Sequence, residues 1–436
     1  MVATSWNLVT FLRSIYNLLK DCPARRANYI AITNSSLFPL KFCAVRWLDN
    51  AKVAERALHM LPSLKTFVKE MRRTGEISSQ SFKTVVASVD DPFLPAKLEF
   101  FKSLASDLEP FLREFQSDQP LSPFLYDRLN TVIRTQMERV VLAPLLTEKA
   151  VKDVDLKKEN LRLAKHVILG IGVKSALRCM DKQPDSKMLA FKEECKSGLM
   201  QFIEKMLDRS PIRYKLTKSI SCLSPAVAAE PKLSHARMES VLTALLEAKW
   251  LNTIEADQAQ RLFNNITKDS ELVNELKKFK KSQERLDHFW IRIIKHLNNC
   301  TSLVKVVKLV STLSHGNANV ERGFSVNREC LVDNMHEELL IAQRTVYDHV
   351  LSVGGVEKVD ISKPLINAAR NSYQIYKESL TKKQIQMEAS SIKKLQKRAA
   401  EKELKELEEK RAKVLEEAQQ KAELLSDQIN KIKNVE

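Results

Sequence analysis

The stretch 314–325 has the residue types and spacing that come closest to a chemical site in this sequence. Apolar residues at helical spacing precede and follow it, so the local pattern predicts a helix, a polar turn at 315–317 and a second helix. Asn317 or Asn319 can cap the second helix, which places Glu321 in its first turn. A carboxylate there is favoured by the exposed backbone N–H groups, so capping or ion pairing explains Glu321 without catalysis.

The same residues also form a longer pattern, Asn-Ala-x-x-Glu-Arg-x-Phe-Ser at 317–325. The pattern resembles the C-terminal signature of the hAT transposases and of the host proteins derived from them. The resemblance implies that this region completes an RNase H-like core and carries a dimerisation surface. It also implies that Glu321 matches the glutamate of a DDE catalytic triad. Upstream, Arg46-Trp47 resembles the family's Arg-Trp motif, which ends a core strand before a long helical insertion and handles DNA near the cleavage site.

DDE chemistry needs three carboxylates that converge on Mg²⁺. In the family, the two aspartates precede the Arg-Trp strand and lie on or near earlier parts of the core. Asp21, Asp49 and Asp348 do not match those places. We therefore expect Glu321 to be a vestige and the chain not to be an enzyme. The alternative is that the chain is a fragment, or an incomplete gene model, of an active DDE transposase whose other carboxylates and zinc finger lie upstream.

A formal net charge of +17 on 436 residues favours contact with nucleic acid. Basic clusters occur at 72–73, 277–281 and 393–398, and clustered cations attract phosphate without sequence preference. Other interpretations stay open, because the second cluster could be a solvated helix end, the third a nuclear import signal, and Trp47 a packed side chain. The residues predicted to contact DNA are Arg46, Trp47, Arg322, Lys277, Lys278, Lys280 and Lys281.

Several other classes of function find no support in the sequence. The seven cysteines are scattered and never form a C-x-x-C pair, which predicts a reducing compartment rather than a disulfide framework. The eight histidines show no metal-ligand spacing, and there is no phosphate-binding or dinucleotide-binding glycine loop. We read no signal peptide and no membrane span. No metal, cofactor or small-molecule substrate is expected.

The composition predicts a mainly α-helical protein, since it has only 8 glycines where ordinary usage would give about 30. Amphipathic helices are predicted at 5–22, 51–71, 97–115 (with a kink at Pro110), 124–141, 161–180, 199–207, 241–250, 256–279 and 286–294. Segment 219–231 is predicted to be a loop. Segment 37–47, with Pro39 at its entry and Phe42 and Val45 inside it, is the one predicted strand.

The resemblance divides the chain into four regions. A partial RNase H-like α/β core remnant is expected at 1–50, a large helical insertion domain at 51–300, and an hAT-type dimerisation region at 301–356. A long charged helix is expected at 366–433, where Lys, Glu, Ala, Gln and Leu dominate. Apolar residues in its last part recur at spacings of three and four, so it is either a weak coiled coil or a solitary solvated helix.

We expect a nuclear protein, with the cytoplasm as the alternative location. The expected partners are a second copy or a related transposase-like protein, with DNA as a possible further partner. A third hypothesis is a coiled-coil scaffold whose folded part is a spacer. The apolar residues expected to be buried between subunits are Leu309, Leu313, Phe324, Leu339, Leu340, Val346 and Val350.

Overall fold

The structure is a computed structural model that describes residues 6–43, 49–75, 79–180, 182–332, 335 and 337–433. Within these residues the chain is mainly α-helical, as the composition predicts. The only β-type pairing in the described residues is one isolated antiparallel bridge between Val141 and Leu161. Among the described helices, none combines the length and the apolar character that a membrane crossing requires.

Nine α-helices cover the described residues up to 209. They are α1 (Leu8–Leu19), α2 (Pro23–Thr33), α3 (Asn50–Thr74), α4 (Gln80–Val89), α5 (Leu94–Glu114), α6 (Ser122–Met137), α7 (Ala143–Glu148), α8 (Ile171–Arg178) and α9 (Asp185–Arg209). Short 3₁₀ helices at Val151–Asp153, Lys158–Asn160 and Ala164–His166 connect α7 to α8.

Ten more α-helices follow. They are α10 (Lys215–Ser219), α11 (Pro225–Ala228), α12 (Pro231–Glu247), α13 (Thr253–Lys268), α14 (Ser270–Lys278), α15 (Leu286–Ile294), α16 (Thr301–Ser311), α17 (Ala318–Cys330), α18 (Glu337–Ser352) and α19 (Lys363–Lys433). Further 3₁₀ helices lie at Pro211–Arg213, Ile220–Leu223 and Val356–Lys358.

Two hydrophobic clusters form the core. The first extends from Trp6 to Ile212 and includes the buried faces of α1, α3, α5, α6 and α9. Its aromatic centre is Trp6, which stacks on Phe191 with ring centroids 5.6 Å apart and donates its indole N–H to Glu194 Oε2 at 2.6 Å. The first helices of the chain therefore share one core with the helices up to α9.

The second cluster extends from Ile220 to Val310 and is built mainly on α12, α13, α15 and α16. Trp290 is fully buried there and donates its indole N–H to the Leu223 carbonyl oxygen at 2.7 Å. A buried indole usually has such a hydrogen-bond partner, because an unpaired N–H in an apolar core is costly. The bond holds the predicted loop 219–231 against the core, where it forms short helices with buried residues.

The chain divides into two compact units, 1–328 and 329–436. The domain boundaries expected at residues 50 and 300 stay predictions. Helices α1 and α2 belong to the first hydrophobic cluster, and α16 belongs to the second. Helix α16 buries Leu303, Val306, Val307 and Val310 against the helices before it.

The predicted strand at 37–47 is wrong over its described part. Residues 37–43 form no strand, because no neighbouring segment pairs with their backbone. Phe42 is instead buried among helices, where its ring lies 6.2 Å from that of Phe101. Residues 44–47, the rest of the segment, lie outside the described residues. The RNase H-like remnant therefore stays a prediction.

Most predicted helices are present with shifted ends. Helix α15 has the predicted bounds, and α5 continues through Pro110. The region 161–180 is less helical than predicted, with a 3₁₀ turn at Ala164–His166 and a helix only at Ile171–Arg178. The predicted helix 256–279 is two helices, since Asp269 caps the start of α14 by accepting from the N–H groups of Glu271 and Leu272.

The second unit contains α18 and the single 71-residue helix α19. Gly354 and Gly355 follow α18 with φ of 89° and 121°, a backbone region that L-residues rarely adopt. Lys383 of α19 pairs with Glu338 of α18. Both helices expose many apolar side chains, including Leu339, Val346 and Tyr373.

Candidate nucleic-acid interface

The lysine cluster 277–281 lies at the end of α14 and in the turn that follows. Lys277 and Lys278 occupy the last turn of the helix. Cations are favoured there by the partial negative charge of the unpaired carbonyl groups. The turn is closed by backbone bonds from the N–H groups of Gln283 and Glu284 to the Lys280 carbonyl oxygen, at 3.0 and 3.2 Å. The local sequence thus presents its lysines at a helix end.

This helix end forms one wall of a cleft with a volume of about 760 Å³. The other walls are the first half of α6 and the segment around α11. Its cations are Lys277, Lys280, Lys281 and Arg128. Its carboxylates are Asp127 and Glu230. The cleft is the place where the fold brings the predicted lysines together with a cation from a distant helix.

Two phenylalanines form the apolar part of the cleft. Phe279 stacks on Phe124 with ring centroids 6.3 Å apart and ring planes 8° from parallel. Phe279 also contacts Phe289 of α15, with centroids 4.7 Å apart. These contacts fix the turn 279–285 between α6 and α15. The lysines on either side of Phe279 therefore project from an anchored segment.

Glu114, at the end of α5, joins two of the cations. It pairs with Lys281 and, through its other oxygen, with the Arg128 Nε at 3.0 Å. The Lys281 ammonium also lies 4.6 Å from the centroid of the Phe124 ring, a favourable cation–π contact. Lys281 and Arg128 are thus positioned by Glu114, which also neutralises part of their charge.

The remaining lysines of the cluster are solvent-exposed. Lys277 and Lys280 line the cleft, whereas Lys278 pairs with Glu275 at 3.7 Å. An exposed lysine can exchange its hydration and counterions for a phosphate group. Lys277 and Lys280 are therefore the residues of the cluster best placed to bind an anion.

Asp127 is one of the two carboxylates that line the cleft. Its partial burial raises the pKa of the carboxyl group, and the nearby Arg237 guanidinium offsets part of that effect. The ionised form is thus less favourable here than in water. A neutral Asp127 would make the cleft more positive.

A second basic surface lies on α3, where Lys65, Lys69, Arg72 and Arg73 border a groove of about 600 Å³. Of these four residues, only Arg72 and Arg73 stand out in the sequence as a basic cluster. The spacing in the sequence also indicates Lys65 and Lys69, because residues four, seven and eight positions apart lie on one face of a helix. The groove is partly neutralised, because Arg72 pairs with Asp90 and Arg73 with Glu70.

The motif 314–325 packs on the loop that follows α5. The His315 ring meets Phe115 edge-on at 5.6 Å, and its Nε2 lies 3.1 Å from the Ser117 carbonyl oxygen. Helix α17 begins at Ala318, so Asn317 occupies the capping position. Its carbonyl oxygen accepts from the Glu321 N–H at 2.9 Å. The turn therefore has a clear role in packing.

Glu321 and Arg322 lie in the exposed first part of α17. Arg322 pairs with Asp118, a residue of the same loop. In the part of the chain that the structure describes, no group of three His, Cys, Asp or Glu side chains could hold a metal ion. The structure thus brings no second and third carboxylate of the described residues to Glu321.

Two of the predicted DNA-contacting residues, Arg46 and Trp47, lie outside the described residues. Of the tryptophans that are described, Trp6 and Trp290 are buried in the two cores, and Trp250 is 51% exposed. Trp250 follows Lys249, which has a φ of 59°, in the turn between α12 and α13. An exposed indole beside a cation can stack on an unpaired base. This pair is not among the residues predicted to contact DNA, since exposure cannot be read from residue type.

The predicted dimerisation residues fall into two groups. Leu309 and Leu313 pack against the second hydrophobic cluster, which fills the apolar face of α16 from within the chain. This part of the expected subunit interface is therefore already largely covered. The others are exposed or half-buried, and they are Phe324 on α17 and Leu339, Leu340, Val346 and Val350 on α18.

Searches against protein-family profiles, curated proteins and solved structures each found no match to this chain.

Proposed function

We propose that this chain is a transposase-derived protein that forms dimers and binds DNA without cleaving it. The motif 317–325 supports the family assignment, because it has the charged pair, the aromatic residue and the hydroxyl at the family's spacing. The observation that carries the DNA-binding part is the cleft with Lys277 and Lys280 on its rim and Lys281 and Arg128 on its wall. Its cations suit a phosphate backbone rather than a particular base sequence.

The proposed absence of cleavage rests on Glu321. A carboxylate that holds catalytic Mg²⁺ acts with other carboxylates and with substrate phosphates. Among the described residues no group of three His, Cys, Asp or Glu side chains could hold a metal ion, and the neighbour of Glu321, Arg322, is paired with Asp118. Glu321 is better explained as a residue of the first helical turn, where a carboxylate is favoured.

The proposal is tested by DNA binding of the full chain, measured by fluorescence anisotropy with duplex DNA across a salt series. The variant Lys277→Glu/Lys280→Glu reverses the two exposed charges at the cleft. We expect it to weaken binding by roughly tenfold or more, and to reduce the slope of log affinity against log salt by about 0.9 for each lost phosphate contact.

The matched control is Lys187→Glu/Lys205→Glu, which makes the same charge change at two exposed positions of α9. If both double variants lose the same affinity, binding follows the overall charge and the cleft is not the interface. The same DNA is incubated with Mg²⁺ and analysed for strand breaks. Cleavage that depends on Mg²⁺ and disappears in Glu321→Gln would contradict the non-catalytic proposal and favour the active-transposase alternative.

A further inference from the structure

The sequence of helix α19 can be placed in one seven-residue register from Ile366 to the end of the helix. Counting alternately three and four residues forward gives the same stripe over the whole helix. Its first part is apolar, with Tyr373, Tyr376 and Leu380. Its middle part is polar or charged. Its last part is apolar again, and its side chains include Leu415, Ala418, Ala422 and Leu425.

The described part of this stripe is open to solvent. The exposed fraction of its described large apolar side chains ranges from 39% for Ile366 to 72% for Met387. Leu404, Leu415 and Leu425 lie between these values. A helix of this length, about 105 Å at the usual rise per residue, usually buries such a stripe against another helix.

The charged residues in the middle of the stripe distinguish a parallel from an antiparallel pair of α19 helices. In a parallel, in-register pair each residue faces its own copy, so Lys394, Lys397, Glu401, Glu408 and Arg411 would each face a like charge. Like charges opposed at core positions are strongly unfavourable. Lys383, also on the stripe, would do the same, so a parallel pair would contain six like-charge layers.

An antiparallel pair centred on residue 399, the midpoint of the pattern, contains none of these like-charge layers. Lys397 of one helix then faces Glu401 of the other, and by symmetry this ion pair occurs twice. Lys394 faces Leu404, and Glu408 faces Ser390. Long basic side chains can lie along an apolar neighbour while the ammonium group stays in water.

Side-chain size favours the same arrangement. In the antiparallel register Tyr376 faces Ala422 and Leu380 faces Ala418. Both of these layers then combine a large and a small side chain, which is how packed helices fill the space between them. A parallel pair would instead oppose tyrosine to tyrosine and alanine to alanine.

The net charges of the two halves of α19 add a third argument. Residues 363–400 have nine Lys or Arg and two Glu, whereas residues 401–433 have eight Lys or Arg and nine acidic residues. Parallel pairing would align the two strongly basic halves. Antiparallel pairing aligns each basic half with the nearly neutral half of the other copy.

We propose that α19 is an interaction surface for a second copy of this chain, and that the two helices pair antiparallel with Lys397 facing the second copy's Glu401. This pairing would form the dimer of the proposed function. Only in that way does the inference rest on the proposed function. It assigns the interface to the long helix rather than to the predicted residues of α16. DNA binding through Lys277 and Lys280 does not depend on it.

Charge reversal in the full chain tests the orientation by sedimentation over a concentration series. Lys397→Glu or Glu401→Lys alone places like charges in both central antiparallel layers, so we expect the dimer dissociation constant to rise about tenfold or more. The double variant Lys397→Glu/Glu401→Lys restores both pairs and should lie within about threefold of the original chain. In a parallel pair each single variant would only exchange one like-charge layer for another.

The single variants also break the contact within each helix between Lys397 and Glu401, whose charged atoms lie 3.8 Å apart. The matched control is Glu378→Lys, which places a like charge four residues from Lys382 on a face away from the stripe. We expect its dissociation constant to stay within about threefold of the original, because an exposed pair on one helix contributes little.

A photo-crosslink gives an independent readout. With Tyr373→benzoylphenylalanine, the antiparallel register places the probe near Leu425, so mass spectrometry should find a crosslink to the tryptic peptide 422–431 of a second copy. A crosslink between two copies of peptide 371–377, a dimer insensitive to the single charge reversals, or a monomer at all concentrations would each overturn the inference. DNA affinity of the same variants, measured separately, tests the DNA-binding proposal.

Discussion

Arg322 of α17 pairs with Asp118, in the loop that follows α5 and 204 residues earlier in the chain. Arg322 is one of the residues predicted from the sequence to contact DNA. Both side chains are more than half exposed, so the pair is accessible to a competing phosphate. The ion pair therefore occupies Arg322, a predicted DNA-binding residue, and a DNA phosphate could replace Asp118 as its partner.

Removing the carboxylate at position 118 tests whether Arg322 binds DNA. We expect Asp118→Asn to tighten DNA binding by roughly twofold to fivefold, because Arg322 no longer has a competing partner. The double variant Asp118→Asn/Arg322→Ala should lose this gain. A gain that persists in the double variant would show that Arg322 makes no contact and that only the net charge matters.

The raised pKa of Asp127 predicts how stability depends on pH. A carboxyl group with a raised pKa stabilises the folded state below its unfolded-state pKa of about 3.9, and this contribution is lost as the pH rises through the folded value. At pH 7 the ionised carboxylate therefore opposes folding. We expect Asp127→Asn to raise the melting temperature at pH 7 by about 1–4 °C and to have a smaller effect near pH 4.

Thermal melts of Asp127→Asn at several pH values provide the measurement, with Asp257→Asn at an exposed position of α13 as the control. The control should change the melting temperature little at any pH. A lower melting temperature for Asp127→Asn at pH 7 would mean that the carboxylate gains more from Arg237 than it loses by burial.

Because the apolar face of α16 is buried, shortening a side chain on that face should lower the stability of the fold. Leu303 is fully buried in the second hydrophobic cluster, so Leu303→Ala should lower the free energy of unfolding by about 2–5 kcal/mol. Denaturant unfolding measures this change. Val346→Ala, on the exposed face of α18, is the control and should change stability by less than about 0.5 kcal/mol. A folded Leu303→Ala chain of unchanged stability that fails to dimerise would support α16 as the subunit interface.

Cysteine labelling distinguishes the cores from the surface. Burial raises the pKa of the Cys222 thiol to about 12 and also raises that of Cys195, so neither forms the reactive thiolate in the folded chain. Cys179 is exposed. In a maleimide time course at pH 7.5, Cys179 should react before Cys195 and Cys222, which should react only as the chain unfolds. Fast reaction of Cys195 without denaturant would show that the first core opens locally.

Much of the helical fold could be predicted from the sequence, because an α-helix is stabilised by contacts three and four residues apart. The spacing of apolar residues gave the bounds of α15, the course of α16 and the long helix α19. The lysines at 277–281 were identifiable for the same reason, since their clustering is local. The sequence thus determined a basic and mainly helical chain.

Only the tertiary structure decided where these elements meet. A strand exists only if another segment pairs with its backbone, and no segment of the described chain pairs with residues 37–43, so their β-type sequence does not form a strand. Periodicity shows that α16 has an apolar face but not what covers it, and the cover is the chain's own second core. The stacking of Phe124 on Phe279, which builds the cleft, joins residues too far apart in sequence for any local pattern to pair them.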